Sequence, residues 1–177
     1  TDIDTIPVDF PYLFAQPERV ARWKRRLGDE GLKIGICWRG SDAIKGRSIP
    51  IVHFIRLTNI PGVRLISLQK GAGEKDLPEG VSIETLGVDL DSDGAFLDTA
   101  AVVECCDLVI TNDTSIAHLA GALGARTWVA LQFVPDWRWM MERTDSPWYP
   151  TMRLFRQPAI GDWNSVFDQI ALSLRDE

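Results

Sequence analysis

A chain of 177 residues is long enough for one domain with a full core. Its composition, 45% hydrophobic and 25% charged with mean hydropathy near zero, is that of an ordinary globular domain. A net charge of −6 excludes a non-specific nucleic-acid binder, which needs a basic face against phosphates, and no apolar run reaches membrane-spanning length.

The start shows no signal-peptide pattern. Three cysteines, Cys37, Cys105 and Cys106, give an odd count with two adjacent, so no disulfide framework is expected. No histidine cluster accompanies them to form a zinc site, and no metal site is expected. They read as buried small residues in a reducing compartment, and the expected location is cytoplasmic.

In chain order, residues 1–16 are irregular, with Pro7 and Pro11. Pro17 opens a helix whose Val20, Trp23 and Leu27 recur at helical spacing before Gly28. Its basic run, Arg19, Arg22, Lys24, Arg25 and Arg26, reads as a solvated helical face. Residues 1–30 are therefore expected as an extension with a leading helix, and 31–177 as the domain proper. Residues 33–38 form a first strand, followed by a polar loop to Ser48 and a helix from Pro50 to about Asn59.

Residues 63–68 form a second strand, closed by Gln69-Lys70-Gly71-Ala72-Gly73, and a shorter strand covers 81–86. A helix over 95–105 should bury Phe96, Ala100 and Val103 on one face. Then come a strand over 108–111, a helix over 115–123, a strand over 127–131, an aromatic loop over 133–150 and a last strand near 152–155. The closing helix after Asp162 carries Val166, Phe167, Ile170 and Leu174 as one stripe. Continuous apolar strands alternating with helices predict a doubly wound, Rossmann-like parallel sheet of about six strands.

In such a sheet the carboxyl ends of the strands share one edge, where ligands bind. The first strand delivers Arg39-Gly40-Ser41 with Lys45 and Arg47 close behind, and the second delivers Gln69-Lys70. The fourth delivers Asp113-Thr114-Ser115 and the fifth the Trp137-Arg138-Trp139 loop. Hydroxyls, cations and a helix N-terminus suit a phosphate-bearing ligand, and a flat aromatic wall suits a base or sugar ring. For the fourth segment alone the simpler reading is that Asp113 or Thr114 caps the helix.

His118 lies three residues after Ser115, on the same helical face and off the apolar stripe of Ile116, Leu119, Ala120 and Leu123. A structural role and a site role stay open for it. His53 reads as structural. The run Asp89-Leu90-Asp91-Ser92-Asp93-Gly94 imitates half a calcium loop, but the twelfth position is Ala100 where a Glu is required. Helix capping before Phe96 explains those aspartates more simply. Gly71-Ala72-Gly73 is no dinucleotide fingerprint, and no Walker loop or nucleophile elbow occurs.

Asp113-Thr114-Ser115-x-x-His118, after an apolar strand, resembles the Asp-Thr-Gly-x-x-His segment of the ADP-heptose:lipopolysaccharide heptosyltransferases. The stretch Gly35-Ile36-Cys37-Trp38-Arg39-Gly40-Ser41, with Lys45 and Arg47-Ser48-Ile49-Pro50, is similar to the opening of their C-terminal domain. The chain looks closer still to the glycosyltransferase-like C-terminal domain of bacterial tetratricopeptide-repeat proteins, distant relatives of the O-linked N-acetylglucosamine transferases. The resemblance runs from about Tyr12 onward. It implies a GT-B glycosyltransferase, of which this chain matches the C-terminal, nucleotide-sugar-binding half.

The resemblance implies that Ser41 and Lys45, with Asp113, Thr114 and Ser115, hold the donor's diphosphate; Gly40, Arg47 and His118 join the expected donor-binding residues by their place on the same edge. It places Gln69 and Lys70 near the nucleotide, and Trp137, from the loop after the fifth strand, is expected as a wall of the same site. The expected ligand is a UDP- or ADP-linked sugar, taken as substrate, with no separate cofactor and an unknown acceptor. Ser115 departs from the family's glycine and narrows the approach to the backbone. The family's proposed base, an aspartate, belongs to the other half, so no catalytic residue is assigned. An N-terminal acceptor domain or tetratricopeptide repeats are expected as partners in the full-length protein. Two alternatives stand beside a metal-independent transferase: a non-catalytic interaction module, with Trp137, Trp139 and Trp148 as partner surface, and a sugar-nucleotide epimerase.

Overall fold

Strands that carry apolar residues on both faces need cover on both sides, and this chain supplies it. In the computed structural model, which describes residues 9–41 and 43–176, six strands lie side by side. They are β1 (Leu32–Cys37), β2 (Val63–Ser67), β3 (Ile83–Glu84), β4 (Leu108–Asn112), β5 (Thr127–Leu131) and β6 (Met152–Arg156). Every pairing is parallel and the order is β3-β2-β1-β4-β5-β6. The helices between and around them are α1 (Pro17–Leu27), α2 (Val52–Ile55), α3 (Leu97–Cys105), α4 (Ser115–Ala122) and α5 (Trp163–Arg175). This is the doubly wound α/β sheet that the sequence predicts. Residues 1–8, with Pro7 and the first half of the expected irregular extension, lie outside the described residues.

The two-residue period of a strand sorts the core into two layers. Ile34, Ile36, Leu65, Leu108 and Ile110 face Phe54 of α2 and Phe167, Ile170 and Leu174 of α5. Cys37, Ile66, Leu68 and Val109 face the other way, onto Trp23 and Leu27 of α1, Val102 of α3 and Ala120 of α4. The stripe expected on α5 is buried throughout, and Asp162 caps that helix by accepting from Ser165 N at 3.0 Å. Chain order reverses between β1 and β4, which pair with Ile34 opposite Leu108. Their carboxyl ends therefore diverge around a crevice.

The basic run on α1 is the expected solvated face at Arg22, Lys24, Arg25 and Arg26, which are exposed, but Arg19 is half-buried and the run also serves a buried acid. Arg19 and Arg22 both donate to Asp98 Oδ1, whose carboxylate is 2% exposed, and Trp23 Nε1 donates to the same oxygen at 3.0 Å. Arg26 lies over the Trp23 ring at 4.7 Å. A buried carboxylate on α3 requires compensation, and it recruits cations from α1. The cost of burial raises the Asp98 pKa, but the bonds from Trp23 and Arg19 and the Arg22 charge outweigh it, so the group sits below the usual carboxylate range.

Other differences are local. The helix after Pro50 keeps α geometry only over α2 and tightens into a 3-10 turn at Arg56–Asn59, where Thr58 Oγ1 bonds back to Ile55 O. The strand expected over 81–86 shrinks to the two residues of β3. Phe96 does not join a helical face: it stands at φ 64° as the N-cap of α3 and is partly exposed, and Ala101, Val102 and Val103 take the core positions. Cys105 and Cys106 are half-buried, not fully buried as expected, and burial still pushes the Cys106 thiol up to about 12.

Candidate functional site

At the divergence of β1 and β4 the carboxyl edge opens into a cleft of about 1050 Å³. Gly40, Ser41 and Arg47 line it from the loop after β1, Gln69 and Lys70 from the loop after β2, and Asp113, Thr114, Ser115 and His118 from the start of α4. Residues as far apart in sequence as Gly40 and His118 thus meet on one rim. Lys45 and Trp137 do not line the cleft: Lys45 is exposed elsewhere on its loop, and Trp137 is 68% exposed with Arg138 over its ring at 5.0 Å. The neighbours of Trp137, Asp136 and Arg138, line it instead. Trp139 packs into the domain at 1% exposure, so the three tryptophans do not share one face.

Two buried amides build the rim. Asn112, the last residue of β4, donates through Nδ2 to Trp38 O at 3.1 Å and to Arg47 O at 3.0 Å, tying both ends of the β1 loop to β4. Gln69 accepts from Trp38 N at 3.2 Å and Arg39 N at 2.9 Å, and donates to Arg39 O and Lys70 O. The Gln69 amide is consumed by the backbone. Its place is beside the cleft as a clamp between the loops after β1 and β2. Gly40 threads between side chains: a Cβ there would lie 2.9 Å from Arg47 Nε and 3.1 Å from Thr114 Cγ2.

The electrostatics are specific to each group. Arg39 pairs with Asp76 at 3.1 Å, and Arg138 with Asp136 at 2.7 Å. Lys70 Nζ donates to Leu90 O at 2.5 Å. Arg47 differs: among the described residues it makes no ion pair, and its buried Nε has no hydrogen-bond partner. Such an orphaned donor beside an open cleft is the arrangement a ligand acceptor completes. Facing it, Thr114 is the N-cap residue of α4 but makes no side-chain cap bond, contrary to the simpler reading of that segment. Its hydroxyl instead lies 3.4 Å from Thr111 Oγ1. The helix end therefore keeps main-chain donors and its positive dipole for the cleft.

His118 meets the cleft with burial lowering its pKa, so the ring is neutral at pH 7. Cys37, on the floor, is pushed up to about 11 by burial and stays a thiol. Asp113 makes no hydrogen bond or ion pair among the described residues.

The far wall was missed by sequence reasoning. Asp91, Ala95 and Phe96 from the loop after β3, whose carboxyl end also lies on this edge, and Thr99 from the first turn of α3 form it. Asp91 does the capping expected of the aspartate run. It accepts from Asp98 N at 2.6 Å and Thr99 N at 2.9 Å, across the left-handed turn at Phe96. The available signal was the third strand itself, whose following loop had to open on the same rim.

Comparison with known proteins agrees with this architecture. The chain is 30% identical over 184 residues to Protein FlbA of Caulobacter vibrioides, covering 98% of this chain and 30% of that protein. It thus spans under a third of the curated relative. Structure comparison finds E. coli ADP-heptose lps heptosyltransferase II at a TM-score of 0.67 and 14% identity, over 97% of this chain and 56% of that one. The C-terminal domain of a glycosyl transferase group 1 family protein from Francisella tularensis matches at a TM-score of 0.53 and 14% identity, over 96% of this chain and 87% of that one. At those identities the structural likeness is one of fold. Residues 82–131, which run from β3 through α3, β4 and α4 to the end of β5, match the profile of Glycosyltransferase family 9 (heptosyltransferase), and the sheet around them has the α/β architecture of the heptosyltransferases.

Proposed function

We propose that this chain binds the nucleotide-diphospho-sugar donor of a metal-independent glycosyltransferase. The observation that carries the reading is the pairing, across Gly40, of Arg47 and its unpartnered Nε with the uncapped start of α4. A diphosphate supplies the acceptors that both lack, and the helix dipole and guanidinium offset its charge. Ser41, Thr114 and Ser115 add hydroxyls. Asp113, an acceptor only, suits a sugar hydroxyl better than a phosphate. These groups would stabilise charge that builds on the leaving nucleoside diphosphate, which is electrostatic catalysis without a base from this chain. The acceptor site then belongs to other parts of the full-length protein, as the 30% coverage of FlbA allows. An N-terminal acceptor domain or tetratricopeptide repeats are part of the same proposal.

Calorimetry with ADP, UDP and their sugar conjugates tests this. At least one binds, with affinity unchanged by EDTA, and Arg47→Ala weakens it about tenfold or more, the loss of charge-assisted hydrogen bonds of about 1.5–3 kcal/mol. No affinity for any nucleoside diphosphate removes the proposal. A second reading, an interaction module that keeps the fold, is favoured by exposed Val134, Trp137 and Met141 beside the cleft loop. A chain that self-associates through Trp137 and ignores nucleotides would support it.

A further inference from the structure

His118 is held by two buried aromatic residues that do not line the cleft. Its Nδ1 lies 3.1 Å from the Tyr149 hydroxyl, and its ring stacks on Trp139 with centroids 5.3 Å apart and planes 18° apart. Tyr149 is 8% exposed and Trp139 1%, so both are fixed by the core. Room for Tyr149 comes from Gly121, one turn beyond His118 on α4. A Cβ there would lie 2.6 Å from Tyr149 Cγ and Cδ1. The sequence His118-x-x-Gly121 thus seats the phenol beneath the imidazole.

A phenol is a better donor than acceptor, because its ring draws on the oxygen lone pair, and an unprotonated imidazole nitrogen is a strong acceptor. The other group at the Tyr149 hydroxyl is the phenol of Tyr12, which is a far weaker acceptor than an imidazole nitrogen and can itself donate to the Tyr149 oxygen. Tyr149 therefore donates to Nδ1, and the single proton of the neutral ring is carried on Nε2. Nε2 has no partner among the described residues, and it lies on the far side of the ring from the bond to Tyr149. We propose that Tyr149 is a positioning residue that locks His118 as a neutral Nε2–H donor toward an oxygen of the bound diphospho-sugar. The ligand half of this proposal rests on the nucleotide reading above, and the tautomer half does not.

The chain has two histidines, His53 and His118, so imidazole 15N resonances of the labelled chain are assigned by comparison with His118→Gln. The expected pattern is the Nε2–H tautomer for His118, shifting toward a mixture in Tyr149→Phe, which keeps the ring and its packing. With ADP as probe, Tyr149→Phe weakens binding about three- to tenfold in the unmodified background, the loss of one hydrogen bond. It has no further effect in a His118→Ala background, because Tyr149 acts through His118. A proton on Nδ1, or equal ADP losses in both backgrounds, overturns the proposal. If the unmodified chain takes up no ADP, the ligand half falls with the nucleotide reading, and the resonances alone decide the tautomer half.

Discussion

Asp98→Ala is expected to lower stability by about 3 kcal/mol, read as a shift in urea midpoint at unchanged slope. The substitution strands the Trp23 indole N–H, which is buried and bonds Asp98 at 3.0 Å, and it removes the acceptor of Asp91 N at 3.2 Å. Arg19 and Arg22 lose their shared partner as well, although Arg22 is half-exposed and regains water. Two buried or half-buried donors without acceptors account for most of the figure. Acid should produce a related loss in the unmodified chain. Because the folded Asp98 is held below the usual carboxylate range, its contribution is complete above the unfolded value of about 3.9 and fades as pH falls below it. Asp98→Asn should therefore flatten the midpoint-against-pH curve between about pH 5 and 3. Parallel curves for the two proteins would show that Asp98 carries no such linkage.

That hub marks where the sequence stopped being legible. Local periodicity is enough to place β5 and α5, because each buries a pattern written within a dozen residues. The cleft was legible for a topological reason: parallel strands put their following loops on one edge, whatever lies between them. Ser41, Lys70, Thr114 and His118 could be gathered on that rule alone. The bond from Arg19 to Asp98 spans 79 positions, and nothing in a basic helical run announces a buried acid on another helix. Orientation was equally hidden. The Trp137-Arg138-Trp139 turn could be sent to the rim, yet its 3-10 geometry decides that Trp139 goes inward, Trp137 outward and Arg138 to the cleft. Phe96 needed a left-handed backbone that an aromatic residue does not advertise.

Gln69 shows how position without orientation can mislead, and Gln69→Leu separates the two roles open to it. Both amide protons and the carbonyl oxygen are already engaged by Trp38, Arg39 and Lys70 main-chain groups, leaving nothing for a ligand. Leucine keeps the bulk and removes every bond, so Trp38 N is left buried and Arg39 N half-buried without acceptors. The expected loss is about 2–4 kcal/mol of stability in urea. Gln69→Glu should fare no better, since a second oxygen then faces the carbonyls of Arg39 and Lys70 where the amide nitrogen now donates. Nucleotide affinity should fall in both variants as a consequence of a loosened β1 loop, and in proportion to the stability lost. A ligand-contacting Gln69 predicts the reverse split, an unchanged urea midpoint with ADP binding alone reduced, and that result would return this side chain to the interior of the cleft.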